Sequence, residues 1–233
     1  MKSFKYKKIR WPHGRLIFFG SLVFTAIISC HSNPQLKPLV LTHQDSVLKE
    51  KIIQRAFISI ALLKKNIQSG DVVTRTGKDF TSQSLRTLNR RNQVYSHCGI
   101  ASIENDTLFI YHAIGGEWNP DEKLRRDPWI FFAEPYSNKG IGIFRFQLPD
   151  STLISLIKTV KDFYKQQIKF DMNFDLTTDN RMYCAEFISK SFTKASNQVI
   201  NFPHSHINGF EFIGVDDIFL HPLCRAKAEM EYK

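Results

Sequence analysis

Apolar positions recur at helical spacing across residues 45–68. Val47, Ile52, Ile53, Phe57, Ile60, Leu62 and Leu63 follow the capping pair Asp45-Ser46, and Gly70 closes the run, so the pattern predicts a packing helix. Asp71-Val72-Val73 then reads as a short buried strand, and residues 80–89 as a polar helix or loop with Arg86, Arg90 and Arg91 toward water. Residues 95–103 and 107–114 are rich in β-forming side chains and flank Glu104-Asn105-Asp106, which predicts a hairpin. Gly115-Gly116 and Asn119-Pro120 break that pattern. The irregular stretch around them carries Trp118, Trp129, Phe131, Phe132 and Tyr136, which either wall a cleft or cover a sheet. Residues 141–148 alternate as a further strand. A helix opens at Pro149-Asp150-Ser151 and runs to about residue 167, and another amphipathic helix spans residues 182–195. The expected class is α+β, with an antiparallel sheet built from the central hairpin and the strand near Phe144, packed against the helix that carries Cys184.

Composition changes this picture mainly at the N-terminus. The chain has 233 residues, 42% of them hydrophobic, enough for one well-packed core. Its formal charge is +10, but Lys2, Lys5, Lys7, Lys8, Arg10 and Arg15 supply six of those charges with no acid between them. What remains is only mildly basic, and nothing points to nucleic-acid binding. Residues 16–28 are apolar apart from Gly20, Ser21 and Thr25, too short a run to span a bilayer, and Ser29-Cys30 follows. A basic start, a short apolar segment and a small residue describe an export signal over residues 1–29. Ile27-Ile28-Ser29-Cys30 resembles the bacterial lipobox, with Ile27 in place of the usual Leu, so Cys30 is the expected lipidation site. Residues 30–43, with Asn33-Pro34 and Lys37-Pro38, read as a tether, and residues 44–233 as the folded domain. The expected location is the bacterial envelope, membrane-anchored and facing the periplasm or exterior.

The candidate chemistry lies in two places. Cys184 opens the last amphipathic helix, and a helix N-terminus favours thiolate over thiol. Ser96-His97-Cys98-Gly99-Ile100 places a histidine at the start of a strand, and His112 stands on the strand that follows. Alternation puts His97, Gly99 and Ala101 on one face and turns Cys98 to the other. A two-residue loop at Glu104-Asn105 sets His97 directly opposite His112. A four-residue loop shifts the pairing by two and keeps both rings on one face, whereas a three-residue loop separates them. Together these residues form an acyl-transfer set in which His97 accepts the Cys184 proton, His112 orients His97, and helix N–H groups with the Tyr183 hydroxyl stabilise an oxyanion. If Cys30 carries lipid, Cys98, Cys184 and Cys224 remain, an odd number that leaves at least one thiol free. Glu186 lies about 200° around the helix from Cys184 and reads as a first-turn carboxylate favoured by the dipole. Asp171, Asp175 and Asp179 fit an acidic rim or a solvated loop equally well.

These residues carry a resemblance. Phe170-Asp171-Met172-Asn173-Phe174-Asp175, Met182-Tyr183-Cys184-Ala185-Glu186-Phe187-Ile188, the His97 strand and Gly214-Val215-Asp216-Asp217-Ile218-Phe219 resemble circularly permuted papain-like, NlpC-type cysteine hydrolases of the YiiX and YebB kind, over about residues 69–222. The resemblance implies a permuted papain-like fold, Cys184 as nucleophile, His97 as base, and attack on amide or ester carbonyls of cell-wall peptides or N-acyl lipids. The third position, often Glu in that branch, is His112 here, as in the related lecithin retinol acyltransferase type.

No cofactor is implied. The Cys and His residues lack the paired short spacings of structural zinc sites, and Thr76-Gly77-Lys78-Asp79 lacks the spacing of a phosphate loop. The expected function is an envelope-anchored thiol hydrolase or acyltransferase working through a thioester. The alternative is a catalytically inactive lipid- or peptide-binding lipoprotein of the same fold.

Overall fold

Thr42 starts the first element. Its hydroxyl accepts from Asp45 N–H while the Asp45 carboxylate accepts from Thr42 N–H, a reciprocal cap that opens α1 (His43–Leu63). The computed structural model describes residues 42–116 and 118–233. The expected export signal, Cys30 and all but the last two residues of the expected tether lie outside the described residues. Those two, Thr42 and His43, already belong to the helix and its cap.

A 3₁₀ turn (Lys64–Asn66) leads into β1 (Val72–Gly77), followed by α2 (Phe80–Arg86), β2 (His97–Glu104), β3 (Thr107–His112) and β4 (Arg125–Pro128). Then come α3 (Trp129–Ala133), β5 (Asn138–Phe146), α4 (Asp150–Lys165) and α5 (Cys184–Ala195). The short strands β6 (Ser205–Ile207) and β7 (Phe210–Phe212), the helix α6 (Val215–Phe219) and β8 (Cys224–Glu231) finish the chain. Six strands form one antiparallel sheet in the order β4-β3-β2-β1-β5-β8, and β6 pairs with β7 in a separate ribbon. The fold is therefore α+β, as expected.

Strand alternation divides the core between the two faces of the sheet. Val72, Cys98, Ile100, Tyr111, Phe144 and Phe146 pack beneath Leu156 and Val160 of α4 and Phe187, Ile188 and Phe192 of α5. Val73, Ala101, Ile110, Ile141 and Ile143 pack on the other side with Ile60 of α1 and Trp129 and Phe132 of α3. Each fully buried aliphatic or aromatic side chain contributes about 1.5–3 kcal/mol by leaving water. Trp129 and Phe132 are thus core residues, whereas Trp118, Phe131 and Tyr136 are exposed, so the aromatic stretch divides between sheet cover and surface.

Candidate active site

The hairpin turn fixes where the two histidines stand. Asn105 and Asp106 have φ of 46° and 62°, the left-handed values that a two-residue type I′ turn requires at both positions and that Asn and Asp tolerate best. Glu104 pairs with Thr107, Ile103 with Leu108 and Ile100 with Tyr111. The loop therefore has two residues but sits one position later than Glu104-Asn105. Continuing the register brings Gly99 opposite His112, where a Cβ on Gly99 would lie 3.0 Å from the His112 Cβ. His97 is the diagonal neighbour of His112 on the same face rather than its direct partner. The shift does not separate the rings, because His97 Nε2 lies 2.8 Å from His112 Nδ1.

That contact continues into a chain. His112 Nε2 lies 3.1 Å from Asp127 Oδ2, and Asp127 is held in turn by Arg125 at 2.8 Å. A carboxylate only accepts, so Asp127 assigns the His112 proton to Nε2 and leaves Nδ1 with a lone pair. His97 must then donate from Nε2, and its own lone pair is left on Nδ1, without a partner among the described residues. Both rings are neutral. Burial first, then the charge of Arg75 and the neighbouring ring, hold His97 well below the usual histidine value. Burial also pushes His112 down to about 4, against the pull of Asp127. Arg75 is the β1 partner of His97, and its guanidinium lies 4.8 Å from the centre of the Phe132 ring. Phe132 itself packs against both imidazoles. Asp127 was not visible as part of the set in the sequence, because β4 reads as a polar, arginine-rich loop.

Cys184 is the first residue of α5 and is partly exposed, whereas Cys98 and Cys224 are buried. Met182 N–H donates to Lys169 O at 2.9 Å just before the helix, and Glu186 Oε2 accepts from Tyr183 N–H at 3.1 Å. The Tyr183 ring is buried beside Phe174, and its hydroxyl accepts from Ile213 N–H at 2.7 Å. The helix start is thus pinned from both sides.

Cys98 keeps the face that alternation gives it. Alternation does turn it away from the histidines, but α5 packs on that second face, so the Cys98 thiol meets Cys184. A hydrogen bond from Cys98, then the backbone N–H groups of Cys98, Ala185 and Cys184, outweigh burial and hold the Cys184 thiol below its ordinary value. Burial and the same neighbour push Cys98 well above its own. Sulfur and imidazoles approach the start of β2 from opposite faces of the sheet. Among the described residues, no hydrogen bond joins Cys184 to either ring.

The remaining acids have structural surroundings. Glu186 is fully buried, and burial lifts its carboxyl to about 7 despite Lys190 Nζ at 2.9 Å. Asp171 is buried and accepts from the N–H groups of Asn173 and Asp175. A cavity of about 650 Å³ runs along the outer side of α5, lined by Glu186, Lys190, Lys194, Phe202 and His204, and Cys184 does not line it. Among the described residues no three His, Cys, Asp or Glu side chains converge as metal ligands would. Both nitrogens of His112 are engaged within the relay, whereas His97 engages only Nε2.

Fold and site together define an α+β protein with a six-stranded antiparallel sheet, a thiol at a helix start against Cys98 of β2, and a buried imidazole pair on the other face of that strand. Among solved structures the chain is similar to the metalloprotein YiiX from Escherichia coli O157:H7, with a TM-score of 0.57 and 18% identity, covering 71% of this chain and 99% of that one. At that identity the likeness is one of fold, so the fold is YiiX-like. No protein-family model matches the sequence, and no curated protein matches it.

Proposed function

We propose that the protein is a thiol hydrolase or acyltransferase of circularly permuted papain-like type, with Cys184 as nucleophile and His97 as base. The observation that carries this reading is the proton order of the relay: Asp127, His112 and His97 leave a basic lone pair on His97 Nδ1, one residue along β2 from the thiol's neighbour Cys98. Apo catalytic hydrogen bonds are often open and tighten when substrate binds. In the reaction, His97 Nδ1 takes the Sγ proton as sulfur attacks an amide or ester carbonyl carbon. Backbone N–H groups of Cys184 and Ala185 face the developing oxyanion, and the Tyr183 hydroxyl, accepting from Ile213, keeps its own proton available to donate. The tetrahedral intermediate collapses to a thioester as the imidazolium returns the proton to the departing amine or alcohol. Water or another acceptor, deprotonated by the same ring, then releases the acyl group and restores the thiol. The substrate class is an amide or ester of a cell-wall peptide or an N-acyl lipid. A lipidated Cys30 places the enzyme at the envelope membrane, facing the periplasm or exterior.

A second reading, a non-catalytic binder of lipid or peptide, is favoured by the missing hydrogen bond between Cys184 and His97. Iodoacetamide separates the two, because buried Cys98 and Cys224 are poor targets. A hydrolase labels at Cys184 faster than a free peptide thiol at neutral pH, loses the label in Cys184→Ser, and slows sharply in His97→Ala. Labelling of the wild type no faster than the peptide favours the binder. Assays on muropeptides and on N-acyl lipids, with Cys184→Ser as blank, then choose the substrate.

A further inference from the structure

The outer side of α1 has the wrong composition for a water-facing surface. Ile53, Ala56 and Ile60 pack inward. On the opposite side, Val47, Leu48, Ile58 and Leu62 are 40%, 57%, 62% and 58% exposed. At 100° per residue, Lys51 and Arg55 fall in the same stripe, while Asp45 and Glu50 lie outside it. A solvated helix side is ordinarily polar. Four large apolar side chains with two cations and no acid are the composition of a helix lying in a membrane interface.

We propose that the outer face of α1 docks on the anionic surface of the bilayer that anchors the chain, a proposal that rests on the envelope-lipoprotein reading. Chain length favours this occupant. His43 follows Cys30 by thirteen residues, about 45 Å at full extension, so α1 is the first described element within reach of the anchored surface. Charge favours it too. A second copy meeting this face about a two-fold axis would oppose cations to cations, whereas anionic lipid headgroups attract them. The consequence is an orientation. Trp129 of α3 donates to Ile60 O of α1 at 3.0 Å, and Phe132 of α3 packs on the imidazole pair. A docked α1 turns the histidine side of the sheet toward the lipid.

The test uses the full chain on vesicles of phosphatidylglycerol with phosphatidylethanolamine and on vesicles of phosphatidylcholine alone, read by flotation and by amide hydrogen exchange. Flotation on both lipids reports the anchor. Exchange across residues 43–63 is expected to slow on the order of tenfold on the anionic vesicles relative to phosphatidylcholine. The Lys51→Gln/Arg55→Gln and Ile58→Ser/Leu62→Ser variants return to within about twofold of the phosphatidylcholine rate, with exchange in β2 and β5 unchanged as the folding control. Flotation on anionic vesicles only, abolished in Lys51→Gln/Arg55→Gln, supports the docking helix and removes the anchor. Flotation with equal α1 exchange on both lipids overturns the docking and leaves the anchor. Protection that grows with protein concentration on either lipid also overturns it, in favour of a second copy.

Discussion

Asp127 controls a proton two residues removed from its own carboxylate. Because it only accepts, it fixes the tautomer of His112, which fixes that of His97, and the basic nitrogen is left at Nδ1. Asp127→Asn removes this constraint, since an amide can donate to His112 Nε2 and reverse the chain of donors. The expected result is a roughly tenfold to hundredfold fall in the rate of Cys184 alkylation or turnover, with partial recovery in Asp127→Glu. The pH profile distinguishes this positioning role from simple loosening. In the wild type His97 stays neutral well below the ordinary histidine range, so the base form persists as pH falls past about 6.5 and the acid limb lies below that value. A profile of unchanged shape in Asp127→Asn, with the rate merely scaled, would reject the relay. At this scale Cys184, His97 and His112 were legible as residue types in strand and helix contexts. Asp127 was not, because a carboxylate that follows Arg125-Arg126 and precedes Pro128 carries no sign of a strand. Its neighbour Arg126 pairs with Glu104 at 2.6 Å and lies over the Phe109 ring.

The elements that hold these residues were legible unevenly, for physical reasons. α4, α5 and the hairpin announced themselves because their apolar periods match what they bury, whereas α1 buries Ile53, Ala56 and Ile60 and leaves Val47 and Leu62 of its predicted apolar set exposed. β8 did not. Its sequence Cys-Arg-Ala-Lys-Ala-Glu-Met-Glu has low strand propensity and lies mostly exposed at the sheet edge, so register against β5 decides its state. α6 illustrates how a motif can be visible while its role is not. Asp216 is fully buried, and its Oδ2 accepts from Arg91 N–H at 2.6 Å and Asn92 N–H at 3.1 Å. Asp217 accepts from Gly214 N–H and Ser205 Oγ, and Asn89 bridges Val215 N–H to Tyr95 O. The Gly214-Val215-Asp216-Asp217 segment therefore clamps the loop that delivers β2 and His97. Asp216→Ala leaves two N–H groups without their acceptor, and the expected loss is about 2–3 kcal/mol. Hydrogen exchange should accelerate first in residues 89–96, ahead of global opening. If the same variant melts at the wild-type temperature, or exchanges faster uniformly along the chain, α6 is not a local clamp.

For the molecule as a whole, two sets of buried titratable groups pull stability in opposite directions with pH. His112 sits at about 4 when folded and about 6.5 when unfolded. Between those values the unfolded chain binds a proton that the native chain refuses, so acidification destabilises the fold, by about 3 kcal/mol at most. His97 acts with the same sign. Glu186 sits at about 7 when folded and near 4.3 when unfolded. Across that window the native chain holds a proton that the unfolded chain releases, so stability falls as pH rises. From about pH 4.5 to 6.5 the two trends offset one another, and the wild type is expected to gain only modestly in unfolding free energy between pH 5 and 7.5. Glu186→Gln keeps the buried shape and the acceptor for Tyr183 N–H but removes the opposing titration. Its gain over the same interval should exceed that of the wild type by about 3 kcal/mol. His112→Phe should flatten the rise instead. Urea unfolding of the three proteins at the two pH values measures this directly. Parallel pH dependences in wild type and Glu186→Gln would mean that Glu186 is ionised throughout, held by Lys190, and that the buried start of α5 carries a charge beside the thiol rather than a proton.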